Sequence, residues 1–189
     1  MKSFPKAGWF LDTARIFLAA LILAGPASAG VGMPKSSPPT KIIILRHAER
    51  QSDDKDTVLS EVGQARARAL VPLLEGLKPD AVIVSELQRT RQTVAPFLEK
   101  SRIAPLVRSN EKCVELAAEI LQVWRGKTVV VAWHRGPNVD LAKALGAREP
   151  FPQWGSDTYD RYWIITVKRD GAVTLEEKVQ PPVISATSK

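Results

Sequence analysis

Three short runs of aliphatic, mostly β-branched residues constrain this chain more than any other feature: Lys41–Leu45 (KIIIL), Ala81–Val84 (AVIV) and Thr128–Ala132 (TVVVA). Each is too short to be a core helix and shows no polar alternation. Each therefore predicts a strand covered on both faces, as in a parallel sheet. Helical periodicity fills the gaps. From Ser60, a suitable N-cap, the apolar positions Val62, Ala65, Ala69, Leu70, Leu73, Leu74 and Leu77 recur at helical spacing. Ser85-Glu86-Leu87-Gln88 has the form of a capping box, opening a helix through Val94, Phe97 and Leu98 with a kink expected at Pro96. Residues 103–107 read as a short edge segment. Glu111–Trp124 is a further helix closed by Gly126, and Pro137 and Gly146 bracket a helix over 137–145. Tyr162–Val167 and Val173–Glu177 flank the turn pair Asp170-Gly171, a hairpin. Strand and helix in alternation, closed by a hairpin, predict an α/β fold. The expected form is a three-layer α/β/α sandwich with a mainly parallel sheet and an antiparallel edge strand.

The first residues do not fit that pattern. Lys2, Lys6 and Arg15 precede an uncharged block, Ile16–Leu23, which runs on to Ala27-Ser28-Ala29. A basic start, a short apolar block and a small-x-small site predict a signal peptide over 1–29. The block is about half the roughly 20 residues a spanning helix needs, so cleavage after Ala29 is expected rather than retention as an anchor. Residues 30–40 form a Pro/Ser-rich leader, 41–180 the folded domain and 181–189 a C-terminal tail. The expected location is periplasmic or secreted, with no stable membrane insertion after cleavage. Removal of residues 1–29 leaves 24 Lys and Arg against 19 Asp and Glu, a net charge of +5. That mild excess suits an anionic substrate or surface, and no Lys/Arg-rich block marks a nucleic-acid partner. The lone Cys113 excludes an internal disulfide and reads as a small apolar residue within a helix.

In open α/β sheets, sites form at the carboxyl ends of the strands. Arg46-His47-Ala48-Glu49-Arg50 follows the first predicted strand. Ser85 ends the second, with Arg89 and Arg91 shortly after. Trp133-His134-Arg135 follows the third. Both histidines of the chain thus stand at strand ends on one side of the sheet, each beside an arginine. Guanidinium forks suit phosphate oxygens, and a neutral imidazole is a nucleophile near neutral pH. Two histidines among converging arginines suit phosphoryl transfer through a histidine. They suit a metal poorly, because cationic neighbours repel it and no third ligand is evident. No cofactor is called for.

These residues resemble the blocks of a known family. Arg46-His47-Ala48 is similar to the Arg-His-Gly/Ala motif of the histidine phosphatase (phosphoglycerate mutase-like) superfamily. Leu59–Ala67 resembles its L-[ST]-x-x-G-x-x-x-A segment and Ser85–Thr93 its S-x-x-x-R-[AT]-x-Q-T segment. Val129–His134 with Asn138 resembles its second-histidine block. The four occur in the family's order across residues 41–146. The resemblance implies that His47 is the nucleophile that becomes phosphorylated, with Arg46, Arg89 and His134 holding the phosphoryl oxygens. Arg50 either joins them or is a solvated loop residue. Ala48 stands for the commoner Gly. Arg135 stands where the two-domain acid phosphatases carry an Asp proton donor, so the motif supplies no general acid. Glu111 is the first choice, near where the mutase-like branch keeps a Glu, although a first-turn Glu is also what a helix dipole favours. Glu115, Glu49, Asp53 and Asp54 are the others.

The expectation is a metal-independent phosphomonoester hydrolase working through a phosphohistidine. Its substrate would be a phosphorylated small molecule or envelope glycan, such as a lipopolysaccharide core heptose phosphate. A phosphoprotein (phosphohistidine) phosphatase and an inactive anion-binding module are the alternatives. Trp124, Trp133 and Trp163 read as core. Trp154 reads as a packed loop residue or part of a pocket mouth.

Overall fold

A computed structural model describes residues 38–183. The expected signal peptide, the leader up to residue 37 and the tail from residue 184 lie outside the described residues.

Six strands form one sheet in the order β3-β2-β4-β1-β5-β6. They are β1 (Thr40–Arg46), β2 (Ala81–Ser85), β3 (Leu106–Arg108), β4 (Thr128–Trp133), β5 (Arg161–Val167) and β6 (Val173–Val179). β1, β2, β3 and β4 run parallel, and β5 and β6 form an antiparallel hairpin along the β1 side. The helices are α1 (Glu61–Ala69), α2 (Val71–Leu77), α3 (Gln88–Ser101), α4 (Cys113–Val123) and α5 (Arg135–Ala144).

Period-two alternation in the apolar runs builds the three layers. Ile42, Ile44, Ile83, Val129 and Val131 point to one face, where Leu116, Ile120, Leu141 and Leu145 from α4 and α5 cover them. Ile43, Leu45, Val82, Val84 and Val130 point to the other, against Leu70, Leu74, Val94 and Phe97. Both faces are dry, which is why these strands carry no polar alternation. The four tryptophans 124, 133, 154 and 163 pack in or against the first of these clusters, and Trp154 lies with its ring centroid 4.6 Å from that of Trp163.

Several local expectations are revised. The helix from Ser60 is two helices, α1 and α2, meeting at Leu70. Pro72 stands in the first turn of α2, where its missing N–H breaks the hydrogen-bond ladder. Ser60 does cap α1, its side chain accepting from the Gly63 N–H. Ser85 is not a cap. It is the last residue of β2, and α3 has Leu87 at its N-cap with no side-chain hydrogen bond from it. Asp56 serves that end instead, its carboxylate accepting from Gln88 N at 2.7 Å and from Gln88 Nε2 at 3.2 Å. The Asp53–Asp56 run, exposed as its composition suggests, thus ties a loop to the start of α3. Helix α3 runs through Pro96 as one element. The edge segment is Leu106–Arg108, α4 begins two residues after Glu111, and α5 begins at Arg135, two residues before Pro137.

Candidate active site

The register of the sheet brings the two histidines together. β1 and β4 are parallel neighbours with Arg46 opposite Trp133, so His47 and His134 leave adjacent strands side by side. Their ring centroids are 5.5 Å apart. Both are buried, at 5% and 7% exposure.

His47 is held at both ends of its residue. Its N–H donates to Trp133 O at 2.9 Å, and Ala48 N donates to Thr93 Oγ1 at 2.9 Å. Its ring Nδ1 lies 2.8 Å from Ala48 O. A carbonyl only accepts, so Nδ1 carries the proton and Nε2 keeps its lone pair. Burial, then the charges of Arg89 and Arg46 with His134 beside them, push the His47 pKa down to about 3. The same burial and the same two arginines take His134 down to about 4. Both rings are therefore neutral near pH 7, and among the described residues no carboxylate contributes to either shift.

Arg46, at the end of β1, is 6% exposed. Its Nη1 donates to Gly155 O at 3.1 Å and Thr158 O at 2.9 Å, and its guanidinium lies 3.9 Å from the centroid of the Tyr159 ring. Arg89 comes from the first turn of α3. Its Nη1 donates to Lys55 O at 2.7 Å and its Nη2 lies 3.4 Å from His134 Nδ1. The Nε of each arginine is buried with no hydrogen-bond partner among the described residues. A buried unpaired donor is costly, and an oxyanion between the arginines is the partner these groups fit. Burial lowers the pKa of both, and the neighbouring Arg50 lowers them further. Arg50 itself is exposed and ion-paired with Asp53. It stands at the rim with Gln51, Asp157 and Tyr159.

The proposed acids divide. Glu49 is taken up by Arg66 in a two-pronged pair at 2.9 and 2.6 Å, and this pair stiffens the segment after His47. Gly63 lets α1 approach that segment: a Cβ there would stand 2.1 Å from Glu49 O. Asp54 accepts from Ser52. Glu111 and Glu115 line a separate groove with Asn110, Val114, Pro137 and Asp140. None of the contacts that join Arg46, His47, Arg89 and His134 involves them.

Two residues here were not expected from the sequence. Tyr159, in the stretch before β5, has its ring 6.0 Å from that of His47 and under Arg46. The signal was the hairpin. With β5 antiparallel to β1 and Tyr162 opposite Leu45, the residues before Tyr162 must fall beside Arg46 and His47. Ser85, read as a cap, is 2.9 Å from His134 Nε2. Among the described residues no group of three His, Cys, Asp or Glu side chains could hold a metal ion.

Comparison with known proteins fits this arrangement. The sequence model of the histidine phosphatase superfamily (branch 1) matches residues 42–111, from β1 to the turn before α4. A "Probable phosphatase" of Schizosaccharomyces pombe is 31% identical over 74 residues, 35% of this chain and 35% of that protein. The chain thus spans about a third of the length of this curated relative. Among solved structures, a mycobacterial glucosyl-3-phosphoglycerate phosphatase in complex with inorganic phosphate superposes with a TM-score of 0.57 at 17% identity, covering 75% of this chain and 97% of that one. The protein histidine phosphatase SixA complexed with tungstate also gives a TM-score of 0.57, at 18% identity and with coverage of 75% and 97%. At such identities the likeness is one of fold. The segment that matches this family's model carries Arg46, His47 and Arg89, and the solved structures share the fold on which they stand.

Proposed function

We propose that this chain is a phosphomonoesterase that works through a phosphohistidine on His47. The observation that carries the reading is the pairing of a buried, neutral His47, its Nε2 lone pair free, with Arg46 and Arg89, each holding a buried unpartnered Nε. In the first step His47 Nε2 bonds to phosphorus as the ester P–O bond breaks, and the leaving oxygen takes a proton. In the second, water attacks phosphorus, the P–N bond breaks, and inorganic phosphate leaves. Arg46, Arg89 and His134 neutralise the three equatorial oxygens through both steps, work a metal ion does in many phosphatases. Guanidinium groups make the proposed reaction metal-independent.

A second reading has its own support. Among the described residues no carboxylate is a cause of the shift of either histidine. A phosphoramidate such as phosphohistidine leaves on a nitrogen of an already basic ring and asks least of a general acid. The SixA likeness is in keeping with it, though a likeness of fold alone. For the ester reading, the signal-like N-terminus and the basic mature chain favour an exported protein and an envelope or small-molecule phosphate, a lipopolysaccharide core heptose phosphate being one fitting substrate.

The test is a panel of substrates given to the chain from Gly30 onward: a sugar phosphate, a lipopolysaccharide core heptose phosphate, an aryl phosphate and phosphohistidine, each with and without a chelator. Turnover of esters with a quench-trapped phosphoenzyme that His47→Ala abolishes supports the first reading. Turnover of phosphohistidine alone supports the second. Binding of phosphate without turnover of any of them would leave an anion-binding module, and restoration of activity by a divalent ion after chelation would refute metal independence.

A further inference from the structure

The two ring nitrogens of His134 face different chemistry. Nδ1 lies 3.4 Å from Arg89 Nη2, and a guanidinium can donate but never accept. Nδ1 is therefore the lone-pair nitrogen, and the single proton of the neutral ring sits on Nε2, 2.9 Å from Ser85 Oγ. Ser85 Oγ accepts that hydrogen bond and a second from Leu87 N at 3.2 Å. With both lone pairs engaged, its own hydrogen goes to Thr90 Oγ1 at 3.0 Å. Thr90 in turn donates to Leu87 O at 2.9 Å. Every orientation in this chain follows from Arg89 being donor-only. The chain ends on a backbone carbonyl, which accepts a hydrogen bond but does not take up a proton at neutral pH. Ser85 and Thr90 are both fully buried.

A phosphoryl oxygen arriving at Nδ1 needs a donor there. The Nε2 proton has no base to leave to, so it cannot be exchanged for one on Nδ1 along this route. We infer that Ser85 and Thr90 are positioning residues that lock His134 as its Nε2–H tautomer, so that His134 engages a phosphoryl-type oxyanion only as an imidazolium, taking up one proton as the anion binds. This inference rests on the phosphatase reading above.

The surroundings of His134 set the direction of the effect. Arg89 faces it from α3, Arg46 from the end of β1, and neutral His47 from the adjoining segment. Without an anion, burial and two cations keep the ring unprotonated. A bound dianion brings two negative charges against the same nitrogen and reverses that balance. Proton and anion then bind together, and the affinity for oxyanions must rise as pH falls.

Nitrogen-15 imidazole NMR reads the protonation of each ring nitrogen directly. The chain has two histidines, so two residues account for the whole imidazole spectrum of the untagged protein, and a His47→Gln variant assigns them. Sulfate is the probe, because it stays a dianion over the working range and any proton taken up belongs to the protein. At about pH 6 the free protein should show His134 as the neutral Nε2–H form. Saturating sulfate should convert it to the doubly protonated ring, which requires a rise in its proton affinity on the order of a hundredfold from a pKa of about 4. Thr90→Val takes away the acceptor for the Ser85 hydroxyl, which then turns to donate to Nε2. Free His134 should change to the Nδ1–H tautomer and bind sulfate without becoming an imidazolium. Ser85→Ala, a second route to the same release, should give mixed tautomers. A merely structural role for either hydroxyl would leave the tautomer alone. Free wild-type His134 as Nδ1–H, a neutral His134 with sulfate bound, or an unchanged tautomer in both variants overturns the inference. If sulfate moves neither histidine of the wild-type protein, it is the anion site itself, and with it the phosphatase reading, that fails.

Discussion

Acidification alone should cost this protein stability through its two histidines. A histidine buried in its neutral form must stay unprotonated in the fold, while the unfolded chain protonates it near pH 6.5. Between the unfolded and folded pKa values the unfolded state binds more protons, so stability rises with pH and is lost as pH falls. For His47 the folded value is about 3 and for His134 about 4, and both rings are more than nine-tenths buried. At pH 5 the unfolded chain gains roughly 2 kcal/mol from protonating each histidine, and the fold gains almost nothing. The pair therefore costs about 4 kcal/mol between pH 7.5 and pH 5, a large share of the roughly 5–15 kcal/mol that holds a domain together. The figure hardly depends on the folded values, provided both lie below about 4. Asp56, Asp80 and Glu119, each held by hydrogen bonds or an ion pair with its pKa lowered, lose their contributions only at more acid pH.

Urea unfolding at a series of pH values measures this, with the m-value checked for constancy. His47→Gln should halve the loss between pH 7.5 and 5 whatever it does to stability at the upper end. His134→Gln should do the same. A flat stability curve over that range, or a slope unchanged in both variants, would refute the claim that the histidines are buried in their neutral forms.

The remaining expectations are local. Arg89→Ala removes a desolvated charged donor worth about 2.7–4 kcal/mol in a transition state, so kcat/KM should fall by on the order of a hundredfold or more while phosphoenzyme still forms in a quenched assay. Tyr159→Ala removes the ring beneath Arg46, a contact of about 0.5–2 kcal/mol, and should lower kcat/KM about tenfold, with Tyr159→Phe close to the parent. Gly63→Ala should lower stability by about 1–3 kcal/mol in urea unfolding, because the added Cβ meets the Glu49 carbonyl, which accepts from Ser60 N and Oγ while Arg66 grips the same residue's carboxylate. N-terminal sequencing of protein recovered from the periplasm should begin at Gly30, and a membrane-bound chain retaining Met1 would defeat that expectation.

What could be read from the sequence is what depends on short-range pattern or on the few rules of sheet topology. Three aliphatic runs announce buried parallel strands, and parallel strands share a carboxyl edge. That alone puts His47, Ser85 and His134 on one side before any contact is known. The residues that complete the site are contributed across long stretches of chain, where pattern is silent. Ser85-x-x-Gln88 is the same string whether its hydroxyl caps a helix or meets a histidine 49 residues on, and the fold chose the histidine because β4 lies next to β2. That choice left the start of α3 without its own cap, and Asp56, within a run that reads as mere solvated charge, took the place. Tyr159 was missed for a different reason. The turn pair Asp170-Gly171 marks the hairpin but not the strand it pairs with. Once β5 is set antiparallel beside β1, the residues that precede it stand at the end of β1, over Arg46. For Glu111, motif order alone does not say which groove it lines. It sits on the turn before α4, a helix that covers the sheet's face rather than its carboxyl edge, in a groove apart from the histidines. The proton needed by a leaving group is thus the one part of the chemistry that neither strand order nor motif order supplies. In this site the ring whose proton count answers to an arriving anion is that of His134, with its tautomer set by two buried hydroxyls and its charge by the arginines and the anion.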